Sequence, residues 1–596
     1  MEPSRKRVRS NPEKKRTTGR KRRVHFKGNQ WTAAPSNPKL TRAQERSAFE
    51  AAQLVHSASK FKLRCNNSDV EASPAQYRLI DFSLLLPFLK QNVFCKCGDK
   101  FSIVENSVRG LGFELNFNCN NKKCQFSSSV LSSKQIGPKK NLYECNRRSI
   151  LAMRTIGVGL TGLESFCAVM DLPQPVAQTS YQLINDAIEV AAETIATDSM
   201  HRAVTEECQR TPESHPGLSV SGDGTWRTPG FTSLQGAASL IGHYTGKVVD
   251  VITKNSFCQA CRKWENKDKS SEEYYEWFEE HKEVCKVNHT GSAGMMEVDG
   301  IVEMFQRSED LHEVKYKNYI GDGDCKVYAK IEIVKPYGKN FKVEKKEDIN
   351  HVGKRMGTHL RNIKKRFGRT LLSDGKTIGG KGRLTAKVID QLSSYYTQAI
   401  RRNTTVTSMR NDIWATFFHK KSTDKKPQHH LCPAGATSWC KWQKAKAQGT
   451  LKKFTHNSSI PEAIMDEIEK TYEELSKPEL LVKCIGAFSQ NVNESLNHLL
   501  WKYVPKKQWS GGTILNIGAF IAVSTFNDGK TALLKIMKEL DIQPGPNAIE
   551  FMKQSDDKRI YQANIQAASS SKQARSARLK RRHNDPNDDS YVPGGH

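Results

Sequence analysis

No run of about 18 apolar residues occurs anywhere in this chain, so no transmembrane helix is expected. No apolar segment follows the N-terminus, so no secretory leader is expected either. Acid is scarce relative to base: 63 Asp and Glu stand against 93 Lys and Arg, a formal net charge of +30. That imbalance does not specify a fold. It points to a polyanionic partner, nucleic acid ahead of an acidic membrane surface. Aromatic residues make up only 8% of the chain and hydrophobic residues 37%, yet the apolar residues cluster enough to build a sizeable core. No internal repeat is evident, which argues against a solenoid or propeller.

Cysteine, by contrast, is plentiful, with 15 among 596 residues. Without a secretory route these thiols stay reduced, and paired spacing then suggests metal before disulfide. Cys95-x-Cys97 and Cys119-x4-Cys124 flank a strand-like stretch and suit a tetrahedral Zn²⁺ ribbon. Cys258-x2-Cys261 with Cys285-x3-His289 has a second structural-zinc spacing, and His281, four residues before Cys285, is an alternative fourth ligand. This site would fold a Trp- and Glu-rich excursion that has little apolar surface of its own. His430, Cys432 and Cys440 lack a clear fourth donor, so no metal is assigned to them.

Charge marks the two ends. Residues 1–28 hold twelve Lys and Arg, with clusters at Arg5-Lys-Arg7 and Arg20-Lys-Arg-Arg23. Such a segment is expected to be disordered, to serve as a bipartite nuclear-import signal and to grip DNA phosphates. A further cluster, Arg578-Leu-Lys-Arg-Arg-His583, lies near the other end. Residues 43–60 and 78–92 read as short helices. Residues 150–210 read as helices broken at Pro173 and Pro175, with apolar faces at Leu160, Leu163, Tyr181, Ile184 and Ile188. A packed helix pair accounts for these, with a helix-turn-helix reader as the alternative.

From 217 the pattern becomes strand-like. Leu218–Ser221, Ser233–Ile241 and Lys247–Thr253 are followed by a helix over Gly294–Glu309 and a strand over Lys317–Ile320. Then come a helix over Cys325–Ile333, a strand over Phe341–Lys346 and a basic helix over His351–Phe367. Without inserts the order is β-β-β-α-β-α-β-α, the order of an RNase H-like α/β fold. Catalytic acids in that fold sit on the first strand, after the fourth strand and on the last helix. Asp223 in Ser221-Gly-Asp-Gly-Thr-Trp226, Asp322 in Gly321-Asp-Gly-Asp324 and Glu494 in Asn491-Val-Asn-Glu-Ser495 occupy those places. A two-metal phosphoryl-transfer site needs carboxylates scattered in sequence that converge in space. Asp223 would bridge both cations, Asp322 would bind one and Glu494 the other. Asp324 competes with Asp322 or caps the next helix. Oxygen ligands favour Mg²⁺, with Mn²⁺ as substitute. The glycines beside Asp223 and Asp322 are expected to let phosphate or backbone approach closely.

Gly222-Asp-Gly-Thr-Trp226, Gly321-Asp-Gly-Asp324, Asp348-x2-His351 and Asn493-Glu-Ser495 resemble the Mutator-like transposase domain of eukaryotic DNA transposons. The likeness extends to Asn288-His-Thr-Gly-Ser292, His351-Val-Gly-Lys-Arg-Met-Gly357, Gly379-Gly-Lys-Gly-Arg-Leu-Thr385 and Ser438-Trp-Cys440. It covers roughly 80–550. The resemblance implies a DDE transposase with a helical insertion before the glutamate, acting on double-stranded DNA as a homo-oligomer in the nucleus. It also admits a copy that binds DNA without cutting. Asp348-Ile-Asn-His351 is the Asp version of the family's Cys- or Asp-x2-His signature. His351 would orient substrate or assist at the scissile phosphate, or cap and pack the strand-to-helix turn. Asp324 and Asp348 are further cation-binding candidates. Lys354, Arg355, Arg361, Lys364, Lys365, Arg366, Lys381, Arg383, Arg401 and Arg402 form the basic surfaces expected to meet phosphates.

The organisation expected is a disordered basic tail over 1–42, a zinc-ribbon-like region over 43–149 and a helical region over 150–216. The catalytic core's first part covers 217–384, with the zinc-binding insert at 257–289. A helical insertion over 385–484, final core helices over 485–545 and a basic tail over 546–596 complete the chain.

Overall fold

The structure, a computed structural model, describes residues 77–137, 141–228, 232–321, 325–456 and 459–568. The N-terminal basic tail, the helix expected over 43–60 and the cluster at 578–583 lie outside the described residues.

Asp81 caps α1 (Phe82–Asn92) by accepting from the Ser83 amide at 2.8 Å. An antiparallel sheet follows, β1 (Phe101–Arg109), β2 (Gly112–Cys119) and β3 (Ser127–Leu131), in that spatial order. All of β3 is exposed and β1 buries only Ile103, so this sheet has little apolar surface to hold it together. A two-residue ladder joins β4 (Gln135–Ile136) to β5 (Leu142–Tyr143).

Three helices come next: α2 (Glu144–Thr155), α3 (Leu160–Val169) and α4 (Gln178–Arg210). Pro173 and Pro175 fall between α3 and α4, where a missing N–H and a fixed φ interrupt helix. Leu163, Tyr181, Ile184 and Ile188 are buried in one core, so the faces read from the sequence pack inward.

The central sheet starts as a meander of β6 (Leu218–Trp226), β7 (Gln235–Gly242) and β8 (Val248–Asn255). An insert carries α5 (Gln259–Lys263) and α6 (Glu272–Lys282). Then follow α7 (Ala293–Gln306), α8 (Ser308–His312), β9 (Tyr316–Gly321), α9 (Cys325–Val334) and β10 (Glu344–Glu347). The strand order is β10-β9-β6-β7-β8, with β6, β9 and β10 parallel and β7 antiparallel to both its neighbours. Ser221 pairs with Ile320, and Gly321 with Glu347, so β9 and β10 end together while β6 runs on to Trp226. Side chains alternate across β7: Ala237 and Ile241 join the core that includes α4, while Ala238 and Leu240 join Ile301 and Phe305 of α7. Helices thus cover both faces of the sheet.

After β10 the chain forms α10 (Ile349–Phe367), α11 (Ala386–Arg402), α12 (Val406–Lys421), α13 (Lys441–Ala447), α14 (Glu462–Leu475) and α15 (Pro478–Leu481). All of these but α13 share a separate core containing Met356, Leu360, Tyr396, Ile413 and Tyr472. The insertion's core therefore begins with α10, not at 385. Gly353 and Gly357 make this possible: a Cβ on Gly353 would overlap the Thr397 hydroxyl, and one on Gly357 would lie 2.9 Å from Ser393 Oγ. Small residues one turn apart let α10 and α11 approach closely.

The chain then returns to the sheet as α16 (Asn491–Tyr503), α17 (Gly512–Asp528), α18 (Ala532–Glu539) and α19 (Pro546–Ala567). The boundary drawn at 546 for a basic tail falls at the start of α19. That helix is tied to the fold, since Asp556 accepts from the amides of Lys530 (2.7 Å) and Thr531 (3.0 Å). Among the described residues, no single helix is long and apolar enough to cross a membrane.

Candidate active site and metal centres

Strand alternation sends Ser221, Asp223 and Thr225 of β6 toward α16 and sends Gly222 and Gly224 the other way. Four polar side chains of the α16 segment receive that strand. Gln490 Nε2 donates to the Gly222 carbonyl (2.6 Å), Asn493 Nδ2 to the Ser221 carbonyl (3.1 Å), Asn497 Nδ2 to Asp223 Oδ2 (2.8 Å) and Trp501 Nε1 to Thr225 Oγ1 (2.7 Å). Ser221 Oγ also donates to Asn493 Oδ1 at 2.8 Å. Positions 493, 497 and 501 repeat at helical spacing, so one face of α16 is hydrogen-bonded to β6. Glu494 is exposed beside that face.

Burial pushes the Asp223 carboxyl up to about 6; the Asn497 hydrogen bond opposes this, and the nearby Glu494 charge adds to it. His351 is also close enough to favour the Asp223 carboxylate. It lies on the first turn of α10, with Nδ1 3.5 Å from Asp348 Oδ2. Asp348 is the N-cap of α10, accepting from the Asn350 amide at 2.9 Å, and burial raises its carboxyl above the usual value. Asn350 Nδ2 reaches Ser489 Oγ (2.9 Å) and Asn491 Oδ1 (3.2 Å), and the Ile349 amide donates to the Phe488 carbonyl (3.1 Å). The start of α10 is thereby fastened to the start of α16. Asp223, Glu494, His351 and Asp348 gather where β6 meets these two helices. Asp322 and Asp324 lie outside the described residues.

The glycines of the first motif serve packing. A Cβ on Gly222 would lie 2.6 Å from the Tyr319 ring, and one on Gly224 would lie 2.9 Å from Glu297 of α7. They face the opposite side of the sheet from Asp223, so at these two positions the close approach is to packed side chains rather than to phosphate or backbone.

Two cysteine groups have the donors for zinc. Cys95 Sγ lies 3.7 Å from Cys124 Sγ, and Cys97 Sγ lies 3.5 Å from Cys119 Sγ. A disulfide needs about 2.05 Å, whereas tetrahedral Zn–S bonds of about 2.3 Å place sulfurs about 3.8 Å apart. All four ligand atoms lie within 4.8 Å of one another. In the insert, Cys258, Cys261 and Cys285 gather around His281: its Nε2 is 3.4 Å from Cys258 Sγ and 3.2 Å from Cys261 Sγ. His281 takes the position expected of His289. The Trp277 ring stacks on His281 at 4.7 Å and on Trp264 at 4.7 Å, which orients the imidazole. His289 points elsewhere, with Nε2 3.1 Å from the Ser292 carbonyl and Nδ1 3.5 Å from Asp299. Asn288 fixes that turn away by donating to the Thr253 carbonyl and accepting from the Asn255 amide.

A family model described as Mutator-like transposase matches residues 79–440, more than half of the chain. The chain belongs to the Mutator-like transposase family. No curated protein and no solved structure matches it. The transposase match includes Asp223, Asp348 and His351 and stops before α16, so it does not cover Glu494.

The basic surface of this transposase is smaller than its sequence suggests. Arg355 pairs with Glu347 at 2.6 Å, Arg361 with Asp390 at 3.5 Å, and Arg383 with Asp374. Arg401 donates to Asn350. Lys354, Arg361, Lys365, Arg366, Lys381, Arg401 and Arg402 remain exposed on the described surface, whereas Arg355 is half-buried and Arg383 buried. Asn497 and Trp501 were not singled out in the sequence, although their spacing from Asn493 is the signal that places them on one face.

Proposed function

We propose that this transposase is a DDE enzyme that cleaves transposon ends and joins them to target DNA. The observation that carries this reading is Asp223 on the central parallel strand, with Glu494 and His351 brought beside it by α16 and α10. The strand order β10-β9-β6-β7-β8 supports an RNase H-like core, and β6 is the point where that order reverses, the usual ligand position in open α/β sheets. Asp322 follows Gly321 at the end of β9 in sequence and completes the proposed acid triad.

Asp223, Asp322 and Glu494 are the residues that would hold Mg²⁺ or Mn²⁺, with Asp348 and Asp324 as further candidates. Bound divalent cations supply charge neutralisation at the phosphate and acidify water. The chain's own part is placement. Asn497 fixes one Asp223 oxygen, and Asp348 holds the start of α10 so that His351 faces the same region. The exposed Lys and Arg of α10 would position DNA phosphates. Water would first displace the transposon's 3′ oxygen from phosphorus. The resulting 3′-OH would then attack a target phosphodiester and release that strand's 3′ oxygen. Handling two ends implies a homo-oligomer, and the N-terminal basic clusters imply import to the nucleus. Zn²⁺ at the two cysteine groups would be structural, since each offers four protein donors and no open position.

The test is a nicking and strand-transfer assay on duplex DNA bearing the element's terminal repeats, with Mg²⁺ or Mn²⁺. Both steps should disappear in Asp223→Ala and Glu494→Ala. Unchanged nicking would show that these acids are not the catalytic ones.

A further inference from the structure

The segment joining α12 to α14 has almost no core. Among its described residues from 423 to 456, the buried apolar side chains are Cys432, Cys440 and Ala445, and its helix α13 has seven residues. A segment this polar needs another reason to hold one conformation. Its two buried thiols meet two imidazoles. His429 Nδ1 is 3.7 Å from Cys432 Sγ and 3.5 Å from Cys440 Sγ, and His419 Nδ1 is 3.8 Å from Cys432 Sγ. One donor atom from each residue fits within 4.8 Å of the others. His430, the neighbour singled out in the sequence, packs its ring against Phe418 instead.

We propose that His419, His429, Cys432 and Cys440 bind a structural Zn²⁺ that staples the 423–456 segment to the end of α12. Two thiolates and two imidazoles are a donor set characteristic of closed tetrahedral zinc. The surroundings orient these donors as a metal site requires. His429 Nε2 lies 2.9 Å from both Ser422 Oγ and His456 Nε2, leaving Nδ1 toward the thiols. His456 Nδ1 is 2.6 Å from Asp424 Oδ1, so a carboxylate anchors the outer end of this chain of contacts. The His429 ring is stacked between Trp442 (4.9 Å) and His456 (5.2 Å). Cys440 caps α13, its sulfur accepting from the Gln443 amide at 3.5 Å, which favours the thiolate. Gln443 Nε2 returns to the His429 carbonyl at 2.8 Å and closes the loop.

The staple shapes a cleft of about 390 Å³, where Trp439, Phe454 and His456 face Tyr395 and Arg402 of α11. This zinc does not depend on the proposed cleavage activity, and its test reads metal content alone. Full-length protein purified without added metal should lose one zinc per chain in Cys440→Ala and keep it in Cys440→His. An Ala variant with undiminished zinc would overturn the proposal. X-ray absorption on the unaltered protein gives a second reading should Cys440→Ala fail to fold. Filling all three groups predicts an average shell of about three sulfurs and one nitrogen per zinc. A shell matching only the four-sulfur and three-sulfur groups would overturn it.

Discussion

Asn497 donates a 2.8 Å hydrogen bond to Asp223, 274 positions earlier in the chain. The contact joins the strand that carries the proposed catalytic acid to the helix that carries Glu494. Removing the donor should leave Asp223 harder to ionise and less well oriented. A hydrogen bond to a charged group contributes about 1.5–3 kcal/mol, so Asn497→Ala should lower the cleavage rate by roughly 10- to 100-fold. Circular dichroism should show the fold retained. A variant as active as the parent would remove Asn497 from the positioning role.

The insert's fourth ligand can be decided by metal content. His281→Ala should cost the protein one zinc, while His289→Ala should keep it, because His289 faces Ser292 and Asp299. The opposite pattern would restore the assignment read from Cys285-x3-His289.

The approach of α10 to α11 depends on Gly353. Gly353→Ala forces a methyl group onto the Thr397 hydroxyl, and overpacking of this kind costs about 1–3 kcal/mol. Thermal or urea unfolding should show a lower midpoint. Gly294→Ala, whose added methyl group would lie 4.0 Å from Ser292 Oγ, should be close to neutral. Equal effects from the two changes would argue against close packing as the reason for Gly353.

Acid should destabilise the protein partly through His312. Burial, with His201 and Arg307 nearby, pushes this imidazole down to about 4. The unfolded chain therefore binds a proton at a pH where the folded protein does not. His312's contribution is whole above about 6.5, the ordinary imidazole value, and is lost as pH falls through about 4. Between about pH 7 and pH 5, the denaturation midpoint should fall less in His312→Phe than in the parent. An identical fall would show that this histidine is not part of the acid response.

DNA binding should weaken most where cations are exposed. Lys365→Glu with Arg366→Glu should reduce affinity and flatten the salt dependence by about one to two charges. Arg355→Gln should act mainly on stability, because Arg355 already pairs with Glu347. A larger DNA-binding defect from Arg355→Gln would reverse this division of the basic helix.

Much of the central sheet was legible because its strands are short apolar runs bounded by turns and interleaved with amphipathic helices. The spatial order of β10, β9 and β6 could not be read from sequence position alone, since it depends on crossover packing. His281 and His289 are both four residues from Cys285, and only the first lies on α6. Helix length, set by the Ser271 cap and the Trp277 stack, separated two equal spacings. His419 and His429 escaped notice for a related reason: ten residues and a helix end separate them, and the fold alone brings them together. The glycines around Asp223 looked like phosphate-binding features, but the pleat turns them toward Tyr319 and Glu297.

The most direct test is Mn²⁺-dependent nicking of duplex DNA carrying the element's own termini, compared among the parent, Asp223→Asn and Glu494→Gln. These nearly isosteric changes remove charge and little else. Metal-dependent nicking by the parent, reduced to background in both variants with DNA binding retained, is the predicted result. Nicking that persists in either variant would contradict a cation site shared by Asp223 and Glu494.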